Sequence, residues 1–213
     1  MNKKELQEKV IEMNIENIKK SENFIEVVKR DDEKGIAIVK EWDDCMYNEN
    51  PLDWLEFWKT ELDNGYNALV YLLGDHINNI YDNNNNTKDF FDDVIKYAYR
   101  QGIVLIPITK YEHTGVSYSV GIENTWDAGV SGFAWYNRKE VTNNGRLTAR
   151  KRKQMLDKLV NSLDYHNQWC NGEVYNVSTY DTIEGELLDN VGGIFNEDDT
   201  KDFVEEAMDN FVK

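Results

Sequence analysis

Apolar positions recur at helical spacing at both ends of the chain and alternate with polar ones in its middle. Over residues 1 to about 30, Leu6, Val10 and Met13 follow at intervals of four and three, with Ile18 beyond, and charges fill the other faces. That period predicts an amphipathic helix, ended by Asp31-Asp32-Glu33-Lys34-Gly35. Ile36-Ala37-Ile38-Val39 is a short β-like run. Asn50-Pro51 reads as a cap followed by proline at the first helical position, where a missing N–H costs nothing. Leu52, Leu55, Trp58 and Leu62 then form an apolar stripe that Asn64-Gly65 closes. Ala68 to Leu73 is apolar throughout and fits a buried strand or a helix. Asn83 to Asn86 is a loop, and Thr87 caps a helix with Phe90, Phe91, Val94, Ile95 and Ala98 inward and Gly102 at its end.

From Ile103 the period changes. Ile103 to Ile108 reads as a strand whose Pro107 asks for an edge or a bulge. Val116 to Val120 alternates and pairs back across the Tyr111–Gly115 turn. A turn at Thr125–Gly129 leads to a third strand at Ser131–Tyr136. After a loop at Asn143-Asn144-Gly145, Thr148 caps a long helix to about Trp169 with Met155, Leu159 and Leu163 four apart. Strands follow at 173–180 and 187–195. Thr200 caps a last helix with Phe203, Ala207 and Phe211 inward. The sequence predicts an α+β fold: an antiparallel sheet of about four to six strands packed with helices, plus the N-terminal helix. Residues 1–34 form a helical extension and 35–213 one domain. The extension carries 8 basic and 9 acidic residues and docks on that domain or on a second copy of the chain, giving a homodimer.

Charge changes the picture most. The chain holds 40 Asp and Glu against 24 Lys and Arg among 213 residues, a net charge of −16. Such a chain repels nucleic acid and anionic membranes, and favours a partner with a basic surface. The balance is uneven: residues 181–213 carry 11 acids and 2 bases, whereas 138–158 carry 8 bases and 2 acids. With 12% aromatic residues the chain has enough to bury a core. No apolar run approaches the ~20 residues of a membrane span, and MNKKELQEKV has no apolar leader core. Cys45 and Cys170 are too few for a disulfide scaffold, so a reducing cytoplasm is expected.

Candidate chemistry is sparse. His76, His113 and His166 show no zinc-hydrolase spacing, and His166 with Cys170 offers two metal ligands at most. Acid pairs at Asp43-Asp44, Asp92-Asp93 and Asp198-Asp199 are expected by chance in so acidic a chain. Gly192-Gly193 lacks the Lys-Ser or Lys-Thr of a phosphate loop, and no glycine-flanked nucleophile occurs. Aromatics at Trp126, Phe133, Trp135 and Tyr136, with the basic stretch from Arg146 to Lys153, suggest base stacking; packing of a small sheet explains them better. Neither catalysis nor a cofactor nor a metal is expected.

Three elements carry a likeness. Tyr111-Glu112-His113-Thr114-Gly115 resembles a Tyr-Asp-His-Ser-Gly element. Residues 126–133, Trp-Asp-Ala-Gly-Val-Ser-Gly-Phe, resemble a Trp-Asp-Ser-Gly-x-x-Gly-Phe element. Residues 165–175, from Tyr165 to Tyr175, resemble a Tyr-Asp-Gln-Tyr-x-x-Gly-x-Val-Tyr element, with His166 where the family has Asp. Glu41-Trp42-Asp43-Asp44 resembles a Glu-Trp-Asp-Asn element, with Asp44 in place of its Asn. In this order they resemble a family of small acidic proteins carried by bacteriophages and mobile elements. The likeness covers roughly residues 36–210 and implies a phage setting and no reaction. The expected function is therefore a phage-encoded inhibitor of a bacterial defence system, such as a CRISPR effector, restriction enzyme or other nuclease, acting in the host cytoplasm. Carboxylates at Asp198, Asp199, Asp202, Glu205, Glu206 and Asp209 would stand in for phosphates in the basic groove of the defence protein. The alternative is a small-ligand binder or enzyme with a pocket at the 111–115 and 126–132 turns, built from His113, Asp127 and Tyr165.

Overall fold

A computed structural model describes residues 3–43, 49–84, 86–123, 125–142 and 147–212. The expectations for Asp44, Cys45, Asn85, the Asn143–Gly145 loop and Arg146 lie outside the described residues. The fold is α+β, with two antiparallel four-stranded sheets. Contacts gather into two compact units, one made of residues 1–48 and 168–213, the other of residues 49–167. The sequence reading drew its boundary at residue 34 instead. It could not see that chain ends so far apart share one sheet.

The first unit begins with α1 (Lys3–Ile18), then β1 (Phe24–Asp31) and β2 (Ile36–Trp42); after the second unit come β7 (Tyr175–Asp181), β8 (Glu186–Ile194) and α7 (Asp199–Phe211). Its sheet order is β1-β2-β7-β8. β2 and β7 pair over their full length, from Ile36 opposite Asp181 to Trp42 opposite Tyr175. Two matching turns close the two hairpins. Asp31 Oδ1 accepts the Glu33 and Lys34 N–H groups at 3.0 and 3.1 Å, and Asp181 Oδ1 accepts those of Ile183 and Glu184 at 2.7 and 2.9 Å. Each turn ends on a glycine in the left-handed region, Gly35 at φ 70° and Gly185 at φ 78°, where a Cβ is disfavoured.

Alternation along β2 divides the core of this unit. Ile36 and Ile38 join Val177, Ile194, Val204 and Ala207 beneath α7. Ala37 and Val39 are fully buried on the opposite face, where Tyr180 lines a groove with Asn14 and Ile18 of α1. α1 is therefore an integral layer. Ile11 and Ile15 are each 2% exposed, and Asn14 Nδ2 donates to the Thr182 and Ile183 carbonyls at 2.9 and 3.2 Å. The expected Leu6–Val10–Met13 stripe is not the packed one, since Met13 is 57% exposed. Nor does one helix run to residue 30. The β-branched run Ile25-Glu26-Val27-Val28 extends instead and adds an edge strand to β2.

The second unit contains β3 (Lys59–Glu61), α2 (Gly65–Leu73), α3 (His76–Asp82), α4 (Thr87–Arg100), β4 (Ile103–Glu112), β5 (Val116–Val120), β6 (Ala128–Asn137), a short α5 (Arg138–Val141) and most of α6 (Ala149–Cys170). Its sheet order is β3-β6-β4-β5. β4 and β6 are inner strands covered on both faces, which explains their nearly continuous apolar sequence. Ile108, Ala134 and Tyr136 pack with Met155, Leu159 and Leu163 of α6. Leu105 and Phe133 pack on the other face with Leu69, Ile77, Phe91, Val94 and Ala98 of α2, α3 and α4. Pro107 is accordingly not on an edge strand. It stands beside the register shift at Ile108/Thr109, one residue beyond the end of β5 pairing at Ile108–Val120, so its missing donor leaves no ladder bond unmade.

Residues 50–62 are not a helix. Pro51–Trp54 makes one 3-10 turn capped by Asn50, and the chain then extends into β3. Leu52 and Trp58, with Leu55, Phe57 and Leu62 beside them, nonetheless reach one cluster, and Trp58 Nε1 donates to the Met155 carbonyl at 2.9 Å. The helical spacing was real; tertiary burial overrode it. Gly65 opens α2 rather than closing a helix. Two other caps also shift: Asn86, not Thr87, caps α4, and α7 starts at Asp199, so Thr200 lies buried inside it. Thr148 does cap α6, its Oγ1 accepting the Lys151 N–H at 3.2 Å.

Candidate functional site

The last helix turns its acids outward by sequence alone. In α7, Thr200, Val204 and Ala207 are buried against the first unit's sheet. At 100° per residue, Asp198, Asp199, Asp202, Glu205, Glu206 and Asp209 fall on the opposite third of the helix, and all six are exposed. The eleven steps of 1.5 Å from Asp198 to Asp209 place them along about 16 Å, roughly one carboxylate per 3 Å. One DNA strand carries a phosphate per about 3.4 Å of duplex axis, so the two have a similar charge per unit length. Lys201 is the single base in the helix and is ion-paired to Asp198 at 2.6 Å, which holds the Asp198 carboxyl below its ordinary range.

The neighbouring cation is also committed. Lys40, nearly buried on β2, meets Glu26 and Glu197 at 2.8 Å each. Burial disfavours its charge, but bonds to Glu197 and Glu26 outweigh it and raise the Lys40 pKa. The same contact lowers that of Glu197. Counted by unit, the first holds 24 acidic and 11 basic residues, a balance of −13, and the second 16 and 13, a balance of −3. Most of the chain's negative charge thus belongs to the unit that carries α7.

The alternative site is partly assembled. His113, in the β4–β5 turn, lies edge-on to Trp126 at 5.5 Å and to Tyr111 at 6.5 Å. Asp127 accepts a hydrogen bond from Thr125 Oγ1 at 2.9 Å and is bonded by the Tyr111 hydroxyl, whose pKa rises through burial first and the nearby carboxylate second. His113 and Asp127 therefore belong to one surface cluster around Tyr111, with Trp126 84% exposed. Tyr165 stands on a different element, α6, with its ring tilted against Trp54 at 6.4 Å.

The remaining candidates scatter. His166 is buried, its Nδ1 2.9 Å from Asn50 Oδ1. That oxygen already accepts the Leu52 N–H at 3.0 Å, so Nδ1 carries the proton. Burial lowers the His166 pKa, against Asp63 and Asp53, which raise it. His76 stacks on Tyr97, and Cys170 is exposed at the end of α6. Among the described residues no three His, Cys, Asp or Glu side chains gather as a metal site, and no helix is long and apolar enough to cross a membrane.

The sequence puts the basic stretch at the start of the long helix and leaves its exposure open. Residues 150–153 form the exposed start of α6. The chain matches no family model, no curated protein and no solved structure.

Proposed function

We propose that the chain is a non-catalytic inhibitor that binds a basic, nucleic-acid-handling protein through the first unit. The observation that carries this reading is the stripe of six exposed carboxylates on α7, with a charge per unit length close to that of a DNA strand, on a unit with a balance of −13. Acids near the start of α7 also complement its dipole, so the stripe is compatible with a stable helix. A rigid row of carboxylates needs no ordering before it enters a groove shaped for phosphates. The field of the whole unit speeds the encounter. The motif likeness to acidic phage proteins supports a defence nuclease, a restriction enzyme or CRISPR effector, as the target in the host cytoplasm.

The test is DNA cleavage by a panel of restriction and RNA-guided nucleases, with the protein added at increasing concentration. Inhibition of at least one is expected. Replacing Asp198, Asp199, Asp202, Glu205 and Glu206 by Lys abolishes it, and the milder Asn and Gln replacements weaken it. Inhibition that survives both variants refutes the reading, as does its loss in His113→Ala, which would move the function to the ring cluster.

A further inference from the structure

The start of α6 is anomalous in a chain of net charge −16. Arg150, Lys151, Arg152 and Lys153 crowd its first turns, with no acid in the first, and Lys158 follows one turn on. All are exposed. Among the described residues none of the five forms an ion pair, although the chain offers 40 carboxylates. Four cations at the positive end of a helix dipole oppose it. Water solvates such a cluster in the free chain, and its local potential also attracts an external anion.

The surroundings specify the anion further. Lys151, Gln154, Lys158, Asn161 and Tyr165 recur at three and four residues, so they form one stripe along α6. With Glu56, Phe57 and Asp157, the first four line a groove of about 570 Å³. Lys151 Nζ sits 5.4 Å from the Phe57 ring centroid. At the far end Tyr165 and Trp54 expose 37% and 50% of their surface and tilt together at 6.4 Å. The stripe from Lys151 to Tyr165 is about 21 Å long. The groove itself holds two lysines, two amides and the Phe57 ring, with Glu56 and Asp157 offsetting the two lysines; the excess positive charge comes from Arg150, Arg152 and Lys153 beside it on the same helix, and the Trp54–Tyr165 pair continues the stripe beyond it. Cations, amides and rings along one helix face are the elements that hold unpaired nucleotides. A partner recognised by charge alone, such as the acidic α7 of a second copy, would use the cations and leave the amides and rings without a role.

We propose that this groove binds single-stranded nucleic acid. Whole-chain charge argues against such binding, but it assumes charge that is evenly spread. Here the excess resides in the first unit, and the second, which holds the groove, has a balance of only −3. The inference is independent of the inhibitor reading, which rests on α7.

The experiment is fluorescence anisotropy of labelled oligo(dT) and oligo(U) 12-mers with the full-length protein, alongside a duplex and heparin. Binding to a single strand is expected in preference to duplex. Four phosphate contacts give a log–log salt slope near −2.8, a loss of about 50-fold between 50 and 200 mM salt. Lys151→Gln with Lys158→Gln lowers affinity at least about tenfold and reduces the slope by about 1.4, while the Asn and Gln variant of α7 does not weaken it. Absence of binding overturns the proposal. So does binding unchanged in the lysine variant, or equal binding of single strand, duplex and heparin. A fall in solution mass in the lysine variant, without loss of oligonucleotide affinity, would assign the cluster to self-association instead.

Discussion

Truncating Ile15 to Ala tests whether the N-terminal helix is core or appendage. The side chain is 2% exposed, and the change removes three carbons. At ~0.8 kcal/mol per buried methylene that is about 2.4 kcal/mol, and the cavity left between α1 and the sheet brings the cost to about 3–4 kcal/mol. A unit of this size is stable by roughly 5–15 kcal/mol, so the loss is a large fraction of the whole. Hydrogen exchange read by mass spectrometry separates the two units. Amides of β2 and β7 should lose about two to three decades of protection, a factor of ten per ~1.4 kcal/mol, whereas those of β4 and β6 keep theirs. Leu159→Ala, in the α6 core, should give the mirror pattern. A cost below ~1 kcal/mol for Ile15→Ala would refute the argument and restore the helix to a surface arm.

Two further outcomes follow from the second unit. His166 has a lowered pKa in the fold because burial disfavours its charge. The unfolded chain therefore takes up the proton first as pH falls. The stabilisation is complete above the unfolded value of about 6.5 and is lost below it, by at most about 1.4 kcal/mol per pH unit. Urea midpoints measured from pH 8 to 5.5 should show this slope, and His166→Gln should flatten it; an unchanged slope would assign the effect to other groups. Gly132→Ala would drive a Cβ into the Glu61 carbonyl and to 2.5 Å from the Leu62 Cα. Both are backbone, so β3 must leave β6, and faster exchange confined at first to 59–61 and 133–135 is expected; wild-type exchange there would show that the pairing absorbs the extra Cβ without parting.

What the sequence revealed follows where burial decides structure. β4, β6, α4 and α6 are packed along the positions their apolar patterns mark, and the exposed acids of α7 follow from its Phe203–Ala207–Phe211 period. The Leu52–Leu62 stripe misled because an extended segment delivers the same side chains to the same core. β1 was hidden by Ile18 and the charges around it, although Ile25, Val27 and Val28 are β-branched. Segregation of charge between the units was illegible for a different reason. The first unit is assembled from segments more than a hundred residues apart, joined by β2–β7 pairing. No local window contains that pairing. The groove stripe of α6 was likewise present at helical spacing, but its ring partners at Trp54 and Phe57 lie on a segment read as a different helix.

The most direct measurement of the inhibitor reading is displacement of a labelled duplex from an inhibited nuclease at 50 and 200 mM salt. The wild-type chain should release the duplex at the lower salt and lose most of that effect at the higher, and the five-lysine α7 variant should release none at either. Equal displacement by both proteins, indifferent to salt, would contradict the account.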